Sequence, residues 1–319
     1  MEETSCPLCH RRTKTSVWLE AEEGKTSFVY RRCSDCGFVF LSRPPDEKEI
    51  LEYYAHEYYG AGSHKFQSWL EAFRLFFAWK RMCRTQRFFS RPGKALDIGC
   101  GQGTFLQLLQ REGWECHGTE LTKESATRAS SRGISVSVGE IQEGQFPPHS
   151  FDLVSFWQVL EHLRNPMKVL NGLRPLMKKD GIVAISTPNI ESFQAKVASS
   201  RWFHLDPPRH LCLFSPKTLE RMMRSLGFHT LEVRHFSMEQ NPFGWLQSFL
   251  NLMGLPENAL YAILKASSNS AQGHLSSWQK AKTLLLAGGL LPHSLFLSAL
   301  MALFQRGGTI EAYFQLKEI

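Results

Sequence analysis

Short apolar runs alternate with segments of helical periodicity through the middle of the chain. The runs predict strands at residues 94–98, 115–121, 134–140, 151–158, 182–189 and 230–236. Helical spacing between them and helix-start signals predict helices, including residues 166–176, kinked or shortened at Pro175, and residues 217–226. An alternating run at residues 309–316 predicts one more strand. Alternating strands and helices favour a doubly wound α/β fold whose sheet is mostly parallel.

The first of these strands runs directly into a glycine-rich turn. Asp97 near the end of the strand is followed by Gly99, Gly101 and Gly103, and a helical pattern starts at Thr104. Glycines at every second position allow the backbone to approach a ligand and to take positive φ. The spacing differs from the dinucleotide fingerprint, whose third glycine would come one residue later. The pattern predicts a cofactor-binding turn.

An acidic residue ends the second predicted strand. Glu120 lies 21 residues past Gly99, close to the distance at which nucleotide-binding α/β folds place a carboxylate on a ribose. Ligands bind such sheets at the carboxyl ends of the strands, where the glycines and Glu120 are both predicted to lie. Glu140 ends the third predicted strand in the same way.

The sequence from Leu96 to Gly103 closely resembles the first motif of class I S-adenosylmethionine-dependent methyltransferases. Phe151-Asp152 and the pair Glu161-His162 resemble the second motif of that family. The resemblance implies a Rossmann-like sheet of seven strands, with the last strand antiparallel between the fifth and sixth. It implies S-adenosyl-L-methionine as cofactor, held by residues at matching positions, which are Asp97, Gly99, Gly101, Gly103, Glu120, Leu121, Glu140, Ile141 and Trp157.

The stretch from Asp206 to Pro216 resembles the branch of ubiquinone-pathway O-methyltransferases and of methyltransferases of cell-surface sugar metabolism. The resemblance places His210 on the substrate side of the cofactor, where a base near neutral pKa would help to deprotonate a hydroxyl acceptor. His162 is a second candidate for a catalytic role. Substrate positioning and a purely structural hydrogen bond remain alternatives for His210.

Two C-x-x-C pairs mark residues 1–45. Cys6 and Cys9 form the first pair, and Cys33 and Cys36 form the second. Four thiolates suit tetrahedral zinc, and a segment this short needs such a crosslink to fold. With four protein ligands, the ion would be structural. We therefore predict a zinc ribbon, and paired thiols of this kind favour a reducing compartment.

Residues 46–93 are predicted to be a helical cap or linker. Tyr53, Tyr54, Tyr58 and Tyr59 form an aromatic cluster, which resembles segments that cap the cofactor in related methyltransferases. A basic helix with a stripe of aromatic residues follows. This helix either faces phosphates or lipid head groups, or packs its aromatic stripe on the main domain and leaves its charges in solvent.

The methyltransferase domain is predicted at residues 94–236 and 307–319, with an apolar helical insertion at residues 237–306. No residue from Thr283 to Phe304 is formally charged. Gly288, Gly289 and Pro292 interrupt that run, and a single membrane span would separate the last strand from its sheet. The insertion is predicted to be a helical hairpin that either packs on the domain or dips into a membrane interface.

The formal net charge of +7 favours anionic partners without choosing among them. The main hypothesis is a methyltransferase acting on a small or lipid- or sugar-linked acceptor, through a hydroxyl. An RNA methyltransferase with a zinc-ribbon RNA-binding module is the alternative, although nucleic-acid motifs are not evident. A membrane-tethered binding protein without turnover is a third hypothesis. The first residues form no basic-then-apolar run, so we expect a cytoplasmic protein without signal peptide, in peripheral contact with the membrane through residues 240–306. The oligomeric state stays open.

Overall fold

The structure is a computed structural model, and it describes residues 2–23, 26–46, 49, 68–142, 144–265 and 275–317. Tyr53, Tyr54, Tyr58 and Tyr59 lie outside the described residues. The chain divides into two compact units. The first unit comprises Met1–Arg74, Pro188–Ser215 and His235–Thr309, and the second comprises Leu75–Thr187, Pro216–Arg234 and Ile310–Ile319. The predicted division into zinc ribbon, cap, catalytic domain and insertion stays a prediction.

The strands within the described residues are β1 (Glu2–Ser5), β2 (Arg12–Glu23), β3 (Thr26–Cys33), β4 (Val39–Leu41), β5 (Lys94–Ile98), β6 (Glu115–Glu120), β7 (Ser135–Val138), β8 (Phe151–Trp157), β9 (Met177–Pro188), β10 (Cys212–Leu213), β11 (Phe228–Arg234) and β12 (Thr309–Leu316). The α-helices are α1 (Ser68–Gln86), α2 (Thr104–Arg111), α3 (Lys123–Ser130), α4 (Pro166–Leu173), α5 (Phe193–Ala198), α6 (Pro216–Ser225), α7 (Asn241–Leu252), α8 (Ala259–Leu264) and α9 (Ser277–Leu303).

The second unit is organised around a seven-stranded sheet with the order β11-β12-β9-β8-β5-β6-β7. The pairs β5–β6, β5–β8, β6–β7 and β8–β9 are parallel, and β11–β12 is antiparallel. Buried Leu106 and Leu109 of α2 pack with Leu153 and Ile182 from the sheet. The predicted mostly parallel sheet, with an antiparallel last strand between the fifth and sixth, is confirmed.

The fifth strand of this sheet differs from its prediction. The strand predicted at residues 182–189 begins earlier, because β9 starts at Met177 and includes the turn-like residues 178–181. The pairing with β8 shifts register between Phe151 and Leu153, and Asp180 has φ of 60°. A β-bulge thus absorbs the turn-like residues without ending the strand. Pro175 lies in a 3₁₀ turn that follows α4, so the helix predicted over residues 166–176 is shortened at Pro175, as expected.

A five-stranded sheet lies in the first unit, in the order β1-β2-β3-β4-β10. Strands β1 to β4 belong to the cysteine-paired module, whereas β10 comes from the segment that carries His210. The antiparallel pairing of β4 with β10 matches Phe40 with Cys212 and Val39 with Leu213. The amide of Leu41 also donates to the carbonyl of Leu211 at 2.9 Å. The module is therefore joined to the His210 segment by main-chain hydrogen bonds.

Two basic residues, one at the end of helix α1 and one just after it, pair with acids of the second unit. Arg84 pairs with Glu311, and Arg87 pairs with Glu232 at 3.1 Å. The neighbouring aromatic residues Phe76 and Trp79 are exposed. Two basic residues at this end of the segment thus face acids, whereas two aromatic side chains before them face solvent.

The insertion contains one long helix in place of the predicted hairpin. Helix α9 runs unbroken through Gly288, Gly289 and Pro292, and a capping box at Ser276 and Gln279 starts it. It packs on α7 and α8. A hairpin packed on the domain would bury the large apolar side chains of this run, but most of them are exposed, including Leu284, Leu285, Leu291, Leu295, Phe296 and Phe304.

Candidate functional site

The glycine turn after β5 has the backbone that its sequence predicts. Gly99, Gly101 and Gly103 have φ of 67°, 56° and 73°. A Cβ on Gly99 would lie 2.6 Å from Val159 Cγ2, so no side chain fits there. A Cβ on Gly101 would meet nothing within 4 Å among the described residues, so open space lies beside that residue. The turn thus presents bare backbone to open space at Gly101.

The carboxylate of Glu120 lies directly against this turn. Glu120 ends β6 and is buried, and its Oε2 accepts a hydrogen bond from the Gly101 amide at 2.9 Å. Its Oε1 accepts from the Thr122 amide at 3.2 Å. The parallel pairing of β5 with β6 extends into the turn, where Cys100 N donates to Thr119 O at 3.0 Å. The glycine turn and Glu120 therefore lie together at the carboxyl ends of two neighbouring strands, as expected from the sequence.

Asp97 is buried beneath the turn and is held by a hydroxyl that sequence reasoning missed. Ser155 Oγ of β8 donates to Asp97 Oδ1 at 2.6 Å, because parallel pairing sets these two residues side by side. Burial raises the pKa of Asp97 to about 7, although the Ser155 hydrogen bond and the charge of Arg81 act in the opposite direction. A small polar residue near the end of a buried strand is the signal that could have identified Ser155.

Trp157 ends β8 and packs between two neighbours. Its ring contacts the edge of Phe105 at 5.1 Å between centroids, and the Arg81 guanidinium lies over it at 4.7 Å. Its indole Nε1 is buried without a hydrogen-bond partner among the described residues. Arg81 was not a predicted site residue, and only its place in the basic helix α1 could have suggested it.

The remaining predicted cofactor residues lie in the loops after β6 and β7. Leu121 follows Glu120 and is exposed. Strand β7 ends at Val138, so Glu140 and Ile141 lie in the loop beyond it, and the Glu140 side chain is exposed. The Gly139 amide donates to the Glu120 carbonyl at 2.8 Å and joins this loop to the end of β6.

His162 belongs to the second unit, in a 3₁₀ turn from Leu160 to His162 that follows β8. The residue before it, Glu161, is fully buried, and its Oε2 accepts a hydrogen bond from Thr187 Oγ1 at 2.9 Å. Thr187 lies near the end of β9 and was not a predicted site residue. His162 itself is half-buried.

His210 belongs to the first unit and is buried. Its Nδ1 lies 2.9 Å from the carbonyl oxygen of His204. A carbonyl can only accept, so Nδ1 carries the proton and Nε2 keeps its lone pair. Nε2 lies 3.7 Å from Asp206 Oδ2. Burial lowers the pKa of His210 below its ordinary value, against the opposing charge of Asp206. The ring is therefore neutral at neutral pH.

The four cysteines of the first unit come together as predicted. The Sγ atoms of Cys6 and Cys36 are 3.6 Å apart, and those of Cys9 and Cys33 are 3.8 Å apart. All four sulfurs lie within 4.8 Å of one another. A tetrahedral zinc ion with Zn–S bonds of about 2.3 Å separates its sulfurs by roughly 3.8 Å. The donor set and its spacing thus fit zinc.

Comparison with known proteins gives the same class as the geometry. The sequence model of a family described as "Methyltransferase domain" matches residues 63–233, more than half of the chain. The ubiquinone biosynthesis O-methyltransferase of Paracidovorax citrulli (strain AAC00-1) is 28% identical over 163 residues, covering 47% of this chain and 68% of that protein. The enzyme of the same name from Actinobacillus pleuropneumoniae serotype 5b (strain L20) is 28% identical over 107 residues, covering 30% and 46%.

The chain spans about half to two thirds of the length of the curated relatives it matches. Among solved structures, a SAM dependent methyltransferase from Archaeoglobus fulgidus aligns with a TM-score of 0.49 at 20% identity, over 85% of this chain and 100% of that one.

A parallel sheet that carries bare glycine backbone and a buried acid on neighbouring strand ends is the architecture of class I S-adenosylmethionine-dependent methyltransferases. The chain belongs to the methyltransferase domain family. Its own residues fit the cofactor of that class, because Gly101 borders open space and a buried carboxylate stands next to it.

Proposed function

We propose that this chain transfers a methyl group from S-adenosylmethionine to a hydroxyl of a small-molecule acceptor, which is free or linked to a lipid or sugar. The relatives named as ubiquinone biosynthesis O-methyltransferases support a hydroxyl acceptor. The hydrogen bond from the Gly101 amide to Glu120 is the main observation in favour of S-adenosylmethionine binding. That contact brings a carboxylate and an open stretch of backbone to the same point.

Residues of the second unit would hold the cofactor. Main-chain groups of Gly99 to Gly103 would border it, and Glu120 would accept hydrogen bonds from ribose hydroxyls. Asp97, Trp157, Leu121, Glu140 and Ile141 are the further residues proposed around it. When bound, the cofactor supplies a methyl group on a sulfonium, which is already electrophilic. The work left to the protein is orientation of the acceptor and exclusion of water.

We assign to His210 the role of the base that removes the proton from the acceptor hydroxyl. Its Nδ1–H donates to the His204 carbonyl, so Nε2 is the ring nitrogen that would take a proton from a hydroxyl. Asp206 Oδ2, 3.7 Å from Nε2, would stabilise the imidazolium that forms. The lowered pKa of His210 keeps the ring neutral, and therefore ready to accept a proton, at neutral pH. His162 remains the second candidate.

We also assign a structural Zn²⁺ to Cys6, Cys9, Cys33 and Cys36, supported by the spacing of their sulfurs. Four thiolate ligands leave no open position, so this ion would stabilise the fold and take no part in methyl transfer. Free thiols that bind zinc favour a reducing environment, which supports a cytoplasmic location.

The direct test is methyl transfer from isotopically labelled S-adenosylmethionine to a panel of acceptors. The panel contains phenols, catechols, sugar hydroxyls, matched amines and a structured RNA. Labelled product from hydroxyl acceptors alone supports the proposal. Labelling of RNA, together with RNA binding that weakens steeply with salt, would replace it by the RNA methyltransferase hypothesis. Labelling of amines but not of hydroxyls would show that the protein is a methyltransferase but would refute the proposal that its acceptor is a hydroxyl.

A further inference from the structure

The long helix α9 of the first unit packs with its small and polar side inward. Its buried residues are Thr283, Ala287, Ser294 and Ser298. Ala287 contacts a cluster formed by Leu246 and Leu250 of α7 and Leu260 of α8. Thr283 and Ser298 satisfy their hydroxyls within the helix, by donating to the carbonyls of Gln279 and Ser294 at 2.7 and 2.6 Å. A face of small residues thus lets α9 lie close to its neighbours.

The opposite side of α9 is apolar and exposed. Leu285 is 78% exposed, Phe296 is 64% exposed and Leu303 is 81% exposed. Leu284, Leu291 and Phe304 are exposed as well. A helix on a water-facing surface places its large apolar residues inward and its polar residues outward. An exposed apolar face of this kind marks a surface that interacts with another protein or with a membrane.

The charges around this face identify the partner. The helix carries no acidic residue, and Lys280 and Lys282 lie in its first turns. Arg306 follows its end, and the Arg306 carbonyl accepts a hydrogen bond from the amide of Phe193 at 3.1 Å. This contact brings the start of α5 next to the end of α9. On α5, Lys196 is exposed beside two exposed apolar residues, Phe193 and Val197.

Apolar side chains flanked by basic residues match an anionic membrane surface, in which acyl chains take up the apolar groups and head groups meet the cations. Within the described residues, α9 is also the one helix long and apolar enough to cross a membrane by length and composition. Its inner face, however, is committed to α7 and α8, and its end is bonded to α5. A spanning helix would have to give up these contacts, whereas a helix lying in the interface keeps them.

We propose that α9 is a monotopic anchor, lying along an anionic membrane surface with Leu285, Phe296 and Leu303 in the acyl region. With a rise of about 1.5 Å per residue, the helix would lie flat over roughly 40 Å. Lys280, Lys282, Lys196 and Arg306 would meet head-group phosphates. This anchor does not depend on the proposed methyl transfer.

The experiment is co-sedimentation of the full chain with vesicles of phosphatidylcholine alone, and of phosphatidylcholine mixed with phosphatidylglycerol. Wild-type protein is expected to bind the anionic vesicles, less strongly at high salt. The variant Leu285→Gln/Phe296→Gln/Leu303→Gln is expected to lose binding by more than about tenfold, since each apolar side chain contributes to insertion. Lys280→Gln/Lys282→Gln is expected to weaken binding to anionic vesicles by about fivefold per charge, with little effect on neutral vesicles.

The matched control is Val17→Gln/Leu231→Gln, which changes two exposed apolar residues that do not belong to α9. It is expected to bind like the wild type. Circular dichroism and cofactor-induced thermal stabilisation report that each variant is folded, and neither needs methyl transfer. Absence of vesicle binding at every salt concentration would overturn the proposal. So would unaltered binding by the triple leucine and phenylalanine variant. A dimer that this variant dissociates, without vesicle binding by the wild type, would assign the face to a second copy.

Discussion

The phenolic hydroxyl of Tyr30 donates a hydrogen bond to the main-chain carbonyl of His210 at 2.8 Å. The same hydroxyl reaches the carbonyl of Leu205 at 3.3 Å, and Tyr30 is fully buried. Burial raises the pKa of Tyr30 well above its usual value, so the hydroxyl stays protonated and remains a donor. Tyr30 lies on β3, three residues before Cys33. The cysteine module is thus bonded, through one side chain, to the backbone of the residue proposed as the base.

Replacing Tyr30→Phe should lower turnover while leaving cofactor affinity unchanged. The change leaves buried carbonyls without their donor, at a cost of about 1–3 kcal/mol, and releases the backbone of His210. The measurement is kcat against pH for the folded variant, together with the Kd of S-adenosylhomocysteine. A positioning role predicts that the acid limb of the pH profile moves. If the variant loses thermal stability but its profile of kcat against pH is unchanged, the role of Tyr30 is purely structural.

His210→Gln should lower kcat by about 100-fold or more, the typical contribution of general base catalysis. In the wild type, the lowered pKa of His210 predicts that activity rises with pH through a value below the ordinary histidine range and is constant above it. The variant should lose that acid limb. His162→Gln is the matched comparison, since it removes the other candidate histidine. Equal turnover of the wild type and His210→Gln would show that His210 is not the general base.

Glu120→Gln should weaken cofactor binding by roughly 1.5–3 kcal/mol, because hydrogen bonds to a charged group are lost. Gly101→Val should abolish binding, since a branched side chain would fill the open space beside the turn. Gly133→Val is its control, because Gly133 also has positive φ and an open surrounding but lies outside the turn. Isothermal titration with S-adenosylhomocysteine measures all three. Wild-type affinity in the first two variants would refute the assignment of this site.

Asp97→Asn should flatten part of the pH dependence of stability in the cofactor-free protein. The folded pKa of Asp97 is about 7, against an ordinary value of 3.8. The stabilisation that results from the raised pKa of Asp97 is fully present below pH 3.8. It is lost as the pH rises towards 7, at up to about 1.4 kcal/mol per pH unit. Urea unfolding of wild type and variant across this window measures the difference. Asp180→Asn, which changes an exposed acid, should leave the wild-type slope in place.

Metal analysis of protein made without chelators should find about one zinc per chain. Cys33→Ser should lose most of it, whereas Cys83→Ser, outside the cluster, should keep it. Because β10 completes the sheet of the module, loss of zinc should also reduce turnover through the His210 segment. A protein that holds no zinc in this assay would disprove the metal assignment.

The part of the site that could be predicted from sequence rests on strand ends. Gly101 and Glu120 are far apart in sequence, yet both follow strands of one parallel sheet, so topology alone brings them to one edge. Ser155 was not predicted, because its role depends on the register that places it beside Asp97. A register cannot be derived from one strand's pattern.

Two further features of the first unit also depended on tertiary contacts. The pairing of β4 with β10 joins residues far apart in sequence through a strand of two residues, which leaves no periodic signal. On α9, hydrophobicity alone predicted buried leucines, but small side chains such as Ala287 and Ser294 allow the closest approach to α7 and are buried in their place.

The position of β12 also determines when the sheet can be completed during synthesis. This strand lies between β9 and β11, yet it leaves the ribosome only after the whole insertion, including α9. At about 5–20 residues per second, translation of the insertion takes roughly 4 to 15 s. Throughout that interval the nascent chain has the glycine turn and Glu120, but its sheet is incomplete. Strands β9 and β11 both lack β12, the strand that lies between them. The apolar face of α9 is therefore synthesised, and exposed to the cell, before the sheet of the second unit is complete.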